Sequence, residues 1–130
     1  MTSTPDNILT AEEYLQFEEN SRNKHEFVSG SIFAMAGASA AHNLICSNIV
    51  AYLHLKLNGT DCQVYGSDMK LHIASRDSFY YPDIMVHCET FNPELNAIER
   101  PALVFEVLSP STDRAEKGEK LAAYKAVSAV

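Results

Sequence analysis

The chain has 130 residues, 46% of them hydrophobic, and a formal net charge of −7 at pH 7. A chain of this length can bury one ordinary core, so we expect a single domain over residues 1–130. The negative charge argues against a protein that coats nucleic acid by charge alone, but it is compatible with a local basic groove or with acidic side chains around a divalent cation.

The sequence contains no sign of membrane insertion or secretion. No apolar run approaches the roughly 20 residues that cross a bilayer. The N-terminus MTSTPDNILT lacks the basic segment and the apolar core of a signal peptide. We therefore predict a cytoplasmic protein that does not bind membranes.

The three cysteines are Cys46, Cys62 and Cys88, and each lies beside apolar neighbours. Their odd number and the absence of CxxC spacing are atypical of a disulfide framework or of a cysteine-based zinc site. We expect all three to be reduced, partly buried thiols.

The first half of the chain predicts a helix, a hairpin and a second, longer helix. Thr10 and Glu13 form the pattern of a capping box, and the apolar residues after them indicate a short helix that ends near Asn20. In HEFVSGSIFAMAG, the pair Ser29-Gly30 separates two apolar runs, which is a hairpin signal. Residues 39–57 then predict the long central helix, because their apolar side chains recur at helical spacing. These side chains are Leu44, Ile45, Ile49, Leu53 and Leu57.

The second half predicts three strands and a last helix. The strand-like segments are CQVYGSDMKLHIA, FYYPDIMVHCE and PALVFEVL, and a polar loop, TFNPELNAIERP, precedes the third. SPST then caps a helix over DRAEKGEKLAAYKAV, with Leu121, Tyr124 and Val127 on one apolar stripe. This order predicts an α/β or α+β fold in which helices flank a mixed β-sheet.

The chain stops at Val130, directly after the last helix. Either the natural protein ends there or the sheet lacks its C-terminal strands. A missing strand would leave an open sheet edge, which favours self-association. We therefore expect a homodimer.

Two carboxylates lie in apolar, strand-like segments. Glu106 interrupts the apolar run of PALVFEVLSPS, which otherwise reads as a strand buried on both faces, and Asp83 follows Pro82 in YYPDIMVH. A buried carboxylate needs a cationic partner, a metal or a shifted pKa. Asp83 could instead cap a turn, and Glu106 could pair with a buried Arg or Lys, although such pairs often fail to recover their desolvation cost. Two acids on successive strands could also share a hard cation such as magnesium.

Lys117, Lys120 and Tyr124 project from one side of the last helix, because they lie three or four residues apart. A lysine at this position would orient or activate a water molecule near the cation. Alternatively, both lysines are surface charges paired with Glu116 or Glu119. The surface interpretation is favoured for Lys117, whereas the residue pattern leaves both interpretations open for Lys120.

The segments YPDIMV and VFEVLSPST, followed by a helix with Lys120 and Tyr124, resemble the Uma-two family of restriction-endonuclease-like proteins, within the PD-(D/E)xK nuclease superfamily. KHEFVSGSIFAMAGASAAHNLI and GSDMKLHI are similar to the family's N-terminal half, so the resemblance covers nearly the whole chain. It implies that Asp83 and Glu106 bind a divalent metal, Mg or Mn. Leu108 occupies the place of the superfamily's usual lysine, and the resemblance implies that Lys120 supplies this lysine from the helix.

Three further residues are candidates for supporting the site. Glu26 is either the additional upstream acid that the resemblance implies or a salt-bridge partner of Lys24 or Arg22. His42 could approach the site from the start of the long helix, or could serve in packing or capping. Asp68 matches the family pattern and could support the metal, or could form a turn after a Gly-Ser pair. The other histidines show no metal-binding pattern such as HExxH, and they are His25, His54, His72 and His87.

The resemblance implies a metal-dependent nuclease that hydrolyses phosphodiester bonds of nucleic acid, DNA in particular. The alternative is a catalytically silent nuclease fold that serves as a binding module or a dimeric interaction protein, which the acidic charge and the missing strand favour. A small-molecule-binding module finds no support, because SGS and AGAS are too short to form a phosphate-binding loop.

Overall fold

Helices and strands are interspersed along the part of the chain that the structure describes. The computed structural model describes residues 8–109 and 114–127. Within these ranges the α-helices are α1 (Ala11–Glu19), α2 (Ala40–Lys56) and α3 (Arg114–Lys125), and a short 3-10 helix covers Ala74–Arg76. The strands are β1 (His25–Val28), β2 (Ser31–Ala34), β3 (Gln63–Tyr65), β4 (Lys70–Ile73), β5 (Ser78–Tyr80), β6 (Ile84–His87), β7 (Ala97–Ile98) and β8 (Leu103–Phe105).

The described strands form two sheets. One has the order β2-β1-β5-β4-β7, and the other has the order β3-β6-β8. Neighbouring strands are antiparallel except for β4 and β7, which are parallel. This arrangement confirms the predicted α+β fold with mixed sheet and flanking helices.

Two apolar clusters connect the helices to the sheets. The larger one joins α3 to strands of both sheets, and its buried members are Leu71, Ile73, Tyr80, Met85, Ile98, Ala123 and Val127. The smaller one joins α1 to the first sheet, and its buried members are Tyr14, Phe27, Ile32 and Phe79. Within the described residues, no helix is both long and apolar enough to cross a membrane.

α1 begins at the predicted capping box. The Oγ1 of Thr10 accepts a hydrogen bond from the N–H of Glu13 at 3.1 Å, and the Glu13 carboxylate accepts one from the N–H of Thr10 at 2.9 Å. Further along α1, Tyr14 is fully buried and stacks on Phe27 with ring centroids 5.0 Å apart. Its hydroxyl donates to the carbonyl of His25 at 2.6 Å. The helix is thereby attached to the strand that carries Glu26.

The predicted hairpin is confirmed, with Ser29-Gly30 joining β1 to β2. Both turn residues have positive φ, 46° and 98°, as the common two-residue hairpin turns require. A Cβ at Gly30 would lie 2.9 Å from Cγ2 of Ile8, so a side chain at this position would also meet a steric conflict. The register of the hairpin places Glu26 opposite Phe33.

Two of the three predicted strands are each divided between the two sheets, so the predicted strand count is wrong. CQVYGSDMKLHIA contains β3 and β4, separated by a turn at Ser67-Asp68, and FYYPDIMVHCE contains β5 and β6, separated by residues 81–83. Pro82 lacks the N–H that an uninterrupted inner strand would need. The predicted polar loop also contains a strand, because β7 pairs with β4.

α2 agrees with the prediction in extent but not in burial. Ser39 is its N-cap, and Oγ of Ser39 accepts a hydrogen bond from the N–H of His42 at 3.2 Å. One side of the helix lies against β3 and β6. However, Leu44 and Ile45 are 63% and 47% exposed, and no residue of α2 is fully buried. The described residues therefore leave the outer side of this apolar helix uncovered.

α3 packs through a stripe that differs from the predicted one. Ala123 and Val127 are buried in the larger cluster, whereas Leu121 is 57% exposed. The predicted stripe was wrong at Leu121, because the face of the helix that packs against the sheets contains Ala123 instead. The SPST cap falls mainly on residues 110–113, which lie outside the described residues, as does the side chain of Glu116.

The expectation of three free thiols is wrong for two of the cysteines. Cys62 and Cys88 form a disulfide, while Cys46 is free and partly buried. In the register of β3 and β6, Gln63 lies opposite His87, so the two cysteines occupy the next opposed position. Pairing between distant strands, rather than sequence spacing, brings the two sulfurs together.

Candidate active site

Asp83 and Glu106 face each other at the end of two antiparallel strands. In the register of β6 and β8, Ile84 lies opposite Phe105. One step further along the same register, Asp83 lies just before β6 and Glu106 just after β8. The two carboxyl groups are close enough for the Asp83 carboxylate to raise the pKa of Glu106. The structure thus brings together the two residues that the sequence suggested as metal ligands.

Glu106 does not lie inside a strand that is buried on both faces. β8 is an edge strand that pairs with β6 alone among the described strands, and Leu103 is 50% exposed. The expectation was wrong because an apolar run can also form a sheet edge. The Glu106 side chain is nevertheless partly enclosed, and its Oε1 accepts a hydrogen bond from the Tyr124 hydroxyl at 2.6 Å.

Burial raises the pKa of Glu106 from 4.5 to about 8. The ammonium group of Lys120 and the hydroxyl of Tyr124 oppose this rise, while the carboxylate of Asp83 adds to it. Near neutral pH the Glu106 carboxyl group therefore retains its proton in the absence of a cation. A divalent cation would supply the positive charge that this proton now supplies.

Asp83 is held in place from two directions. Its Oδ2 accepts a hydrogen bond from the N–H of Val107 at 2.7 Å, and Nε2 of His42 lies 3.3 Å from the same oxygen. The side chains of Asp83 and His42 are 15% and 17% exposed. Asp83 therefore contacts the segment after β8 and the first turn of α2, which differs from a local turn cap beside Pro82.

Lys120 approaches the site from α3 and pairs with Glu26. Its Nζ lies 3.3 Å from Oε2 of Glu26, whose side chain is 1% exposed. The same oxygen accepts a hydrogen bond from the N–H of Tyr81 at 3.2 Å. The positive charge of Lys120 also acts on Glu106, whose pKa it lowers. The ammonium group therefore lies within electrostatic reach of two acids.

Cys46 adjoins the site one helical turn after His42. Its Sγ lies 3.8 Å from Nδ1 of His42. Burial raises the pKa of the Cys46 thiol, and the carboxylates of Asp83 and Glu106 raise it further. The thiol therefore lies within electrostatic reach of both carboxylates.

The two acids, His42, Lys120 and Tyr124 line one cavity of about 700 Å³ between the hairpin, α2, β8 and α3. Its titratable lining residues are Glu26, His42, Asp83, Glu106, Lys117, Lys120 and Tyr124. Lys117, for which a surface role was favoured, also borders this cavity. Leu108, which occupies the place of the lysine that is usual in the PD-(D/E)xK superfamily, also borders the cavity and is 62% exposed.

Asp68 lies apart from this cavity. It occupies the turn between β3 and β4, its side chain is 99% exposed, and its Oδ1 lies 3.3 Å from Nζ of Lys24. Lys24 therefore pairs with Asp68 and not with Glu26 in the described contacts. The position of Asp68 agrees with the turn interpretation.

Sequence reasoning missed the parts played by Tyr124 and Cys46. In the sequence, Tyr124 only helped to define one side of the last helix. Its hydrogen bond to Glu106 could not be predicted, because it depends on how α3 docks on the sheets. Cys46 was expected only to be a reduced, partly buried thiol. A signal was present, because residues four apart on a helix share a face and Cys46 follows His42 at that interval.

Comparison with protein families and curated proteins gives consistent matches. Residues 11–129 match the family model Uma2, described as "Putative restriction endonuclease". The uncharacterized protein sll1609 of Synechocystis is 41% identical over 124 residues, which cover 92% of this chain and 70% of that protein. The uncharacterized protein slr1290 of the same organism is 39% identical over 123 residues, covering 94% and 65%. The chain thus spans less than two thirds of the length of the second relative.

A solved structure shares the fold. The crystal structure of a "putative nuclease belonging to DUF820" from Anabaena variabilis superposes with a TM-score of 0.73 and 20% sequence identity. The superposition covers 90% of this chain and 68% of that one. At this level of identity the likeness establishes the architecture alone.

Proposed function

The chain belongs to the Uma2 family, described as "Putative restriction endonuclease", and from this premise we propose that it is a divalent-metal-dependent nuclease that hydrolyses phosphodiester bonds of DNA in the cytoplasm. The observation that carries the proposal is the facing pair Asp83 and Glu106, set in a cavity that Lys120 also lines. Two adjacent acids can hold a divalent cation, and a lysine can stabilise developing negative charge, so the three groups together suit metal-assisted hydrolysis of a phosphodiester.

The residues at the cavity fit a hard divalent cation. Asp83 and Glu106 offer carboxylate oxygens, the ligands that Mg²⁺ and Mn²⁺ prefer. The pKa of Glu106, raised to about 8, reflects a buried acid whose charge its surroundings do not fully compensate. When bound, such a cation supplies Lewis acidity towards a phosphate oxygen and lowers the pKa of a water molecule.

The residues around the two acids hold them in position. The N–H of Val107 fixes one oxygen of Asp83, and the hydroxyl of Tyr124 fixes one oxygen of Glu106. Both contacts come from the protein interior, which leaves other carboxylate oxygens for a cation. We assign Asp83 and Glu106 the role of metal ligands, and Val107 and Tyr124 the role of positioning them.

We assign Lys120 the role of stabilising the negative charge that develops on the phosphate. Its ammonium group lies in the cavity, and the buried carboxylate of Glu26 holds it there at 3.3 Å. A fixed cation of this kind stabilises developing negative charge or orients the attacking water. Glu26 thus acts as a positioning residue for the lysine.

The alternative, a catalytically silent binding module, draws on the net charge of −7 and on Leu108 in the usual place of the lysine. The test is cleavage of supercoiled DNA with Mg²⁺ or Mn²⁺ by the wild type and by Asp83→Ala, Glu106→Ala and Lys120→Ala. Asp68→Ala and Lys125→Ala are matched controls, because both side chains lie outside the cavity lining. Cleavage lost in the three site variants and retained in the controls supports the nuclease, whereas a wild type that binds DNA without cleaving it supports the alternative.

We also propose that the protein forms a homodimer through the outer face of α2. This face exposes Leu44, Ile45, Tyr52 and Leu55, by 47% to 76%. The helix contains no Asp or Glu, so it is a surface on which two copies with net charge −7 can approach with little repulsion. Charge depletion around exposed apolar side chains is typical of an interface core.

Sedimentation at micromolar concentration tests this pairing. We expect a dimer for the wild type and for Lys56→Glu, which lies at the end of the helix, and a monomer for Leu44→Glu/Leu55→Glu. A wild type that sediments only as a monomer contradicts the dimer. A double variant that remains dimeric shows that the copies do not meet at this face.

A further inference from the structure

We propose that His42, Cys46 and Asp83 form a binding position for a divalent transition ion of the zinc class, next to the Asp83 and Glu106 pair. The inference rests on the proposed function, because it shares Asp83 with the proposed magnesium site. It adds a nitrogen and a sulfur ligand that a carboxylate pair does not provide. The position would determine which metal ions the protein binds.

The three side chains offer converging ligand atoms. One ligand atom from each residue lies within 4.8 Å of the other two, and all three residues are partly buried. Donor atoms on one tetrahedral ion lie roughly 3.3 to 3.7 Å apart, as follows from bond lengths of about 2.0 to 2.3 Å. Nε2 of His42 and Oδ2 of Asp83 already meet this requirement at 3.3 Å. Sγ of Cys46 lies within 4.8 Å of the other two ligand atoms, and rotation of its side chain would bring it into bonding range.

Local structure holds these ligands in place. His42 lies in the first turn of α2, where Ser39 caps the helix by accepting the N–H of His42. Cys46 follows four residues later and therefore lies on the same face of the helix. Asp83 receives the N–H of Val107 on Oδ2. Ligands from a capped helix and a strand end form a more rigid set than ligands from loops.

The donor chemistry favours a transition ion over magnesium at this position. Mg²⁺ takes oxygen ligands, whereas imidazole and thiolate suit Zn²⁺ and similar ions. Three protein ligands would leave a fourth coordination position open. In the absence of an ion, His42 can connect Cys46 to Asp83 by hydrogen bonds at its two ring nitrogens, Nδ1 and Nε2, so the test must distinguish an ion from protons.

Titration of the oxidised, metal-free protein with Co²⁺, followed by absorption, makes this distinction. Because Cys62 and Cys88 are bonded to each other, Cys46 alone of the three cysteines can supply a thiolate. We expect a thiolate-to-cobalt charge-transfer band for the wild type and its loss in Cys46→Ser. His42→Ala should weaken cobalt binding roughly tenfold or more. His54→Ala, which alters an exposed histidine at the other end of α2, is the matched control and should change neither readout.

Calorimetry with Mg²⁺ on the same proteins separates this inference from the proposed function. Cys46→Ser should leave magnesium affinity unchanged, whereas Glu106→Gln should weaken it and leave the cobalt band in place. A cobalt complex without the band, or equal cobalt affinity in the wild type and Cys46→Ser, overturns the transition-ion position and leaves the magnesium site standing. Magnesium affinity that neither Asp83→Ala nor Glu106→Gln reduces overturns the proposed function instead.

Discussion

Nζ of Lys120 lies 3.3 Å from Oε2 of Glu26, so an acid from the first hairpin holds a lysine from the last helix. The two residues are far apart in sequence, and Glu26 is almost completely buried, with 1% of its side chain exposed. The ion pair therefore connects two ends of the fold at the candidate active site. It gives Lys120 a structural role in addition to the proposed catalytic one.

Replacing Lys120 should destabilise the protein as well as inactivate it. Lys120→Met removes the ammonium partner of a buried carboxylate, and we expect a loss of about 3 kcal/mol in the free energy of unfolding. The double variant Glu26→Gln/Lys120→Met should recover most of this loss, because the amide carries no charge to leave uncompensated. Urea denaturation of both proteins checks this. Lys125→Met, on an exposed part of α3, should be neutral, and a similar loss there would mean that the helix rather than the pair is responsible.

Glu106→Gln should stabilise the metal-free protein at alkaline pH. The folded-state pKa of Glu106 is raised from 4.5 to about 8, so the folded protein holds this proton more tightly than the unfolded chain does. That contribution to stability is present below the unfolded pKa and is lost as pH rises towards 8. We therefore expect wild type and variant to unfold alike at pH about 4, and the variant to be more stable by roughly 4 to 5 kcal/mol at pH about 9. Thermal unfolding in the presence of a chelator measures this difference, and a constant difference across the range would contradict it.

Removal of Asp83 should abolish magnesium binding, while removal of Asp68 should not. Both variants, Asp83→Ala and Asp68→Ala, remove one negative charge. Only Asp83 faces a second carboxylate, whereas the Asp68 side chain is 99% exposed in a turn. Calorimetry with Mg²⁺ should give no measurable heat of binding for the first variant and wild-type affinity for the second. Equal loss in both would indicate that overall charge, and not a defined site, attracts the cation.

Loss of the disulfide should lower stability without altering the cavity. Cys62 and Cys88 close a loop with a sequence separation of 26. Constraining a loop of this size contributes about 3.5 kcal/mol through the unfolded chain. The double variant Cys62→Ser/Cys88→Ser should unfold at correspondingly lower denaturant concentration. Adding a reductant should shift the wild type to the same midpoint and leave the double variant unaffected, and a shift of both would point to another effect of the reductant.

Local sequence patterns were sufficient for the elements whose formation depends on near neighbours. The capping box of Thr10 and Glu13, the turn at Ser29-Gly30 and the extent of α2 were all predicted correctly. The division of two predicted strands between two sheets was not predicted, because the alternation of apolar residues does not indicate with which strand a segment pairs. The pairing of Cys62 with Cys88 was missed for the same reason.

The candidate site could be predicted only in part. An acid in an apolar segment is conspicuous in a sequence, so Asp83 and Glu106 were identified, and the strand register then explains why they meet. For Glu26 the sequence offered a role as an additional site acid or a salt bridge to Lys24 or Arg22, and it could not indicate the contact with Lys120, because the docking of α3 determines that contact. Cys46 was overlooked because its proximity to Asp83 requires α2 to lie against β6.

The position of Lys120 on a helix has a consequence for how the site is assembled. A lysine on β8 would be present whenever the sheet forms, but a lysine on α3 reaches the cavity only when that helix is docked through Ala123 and Val127. Formation of the sheet and placement of Lys120 beside the two acids are therefore separate events. Weakened packing at Ala123 and Val127 would withdraw the ammonium group of Lys120 from the cavity and leave the carboxylates of Asp83 and Glu106 in place.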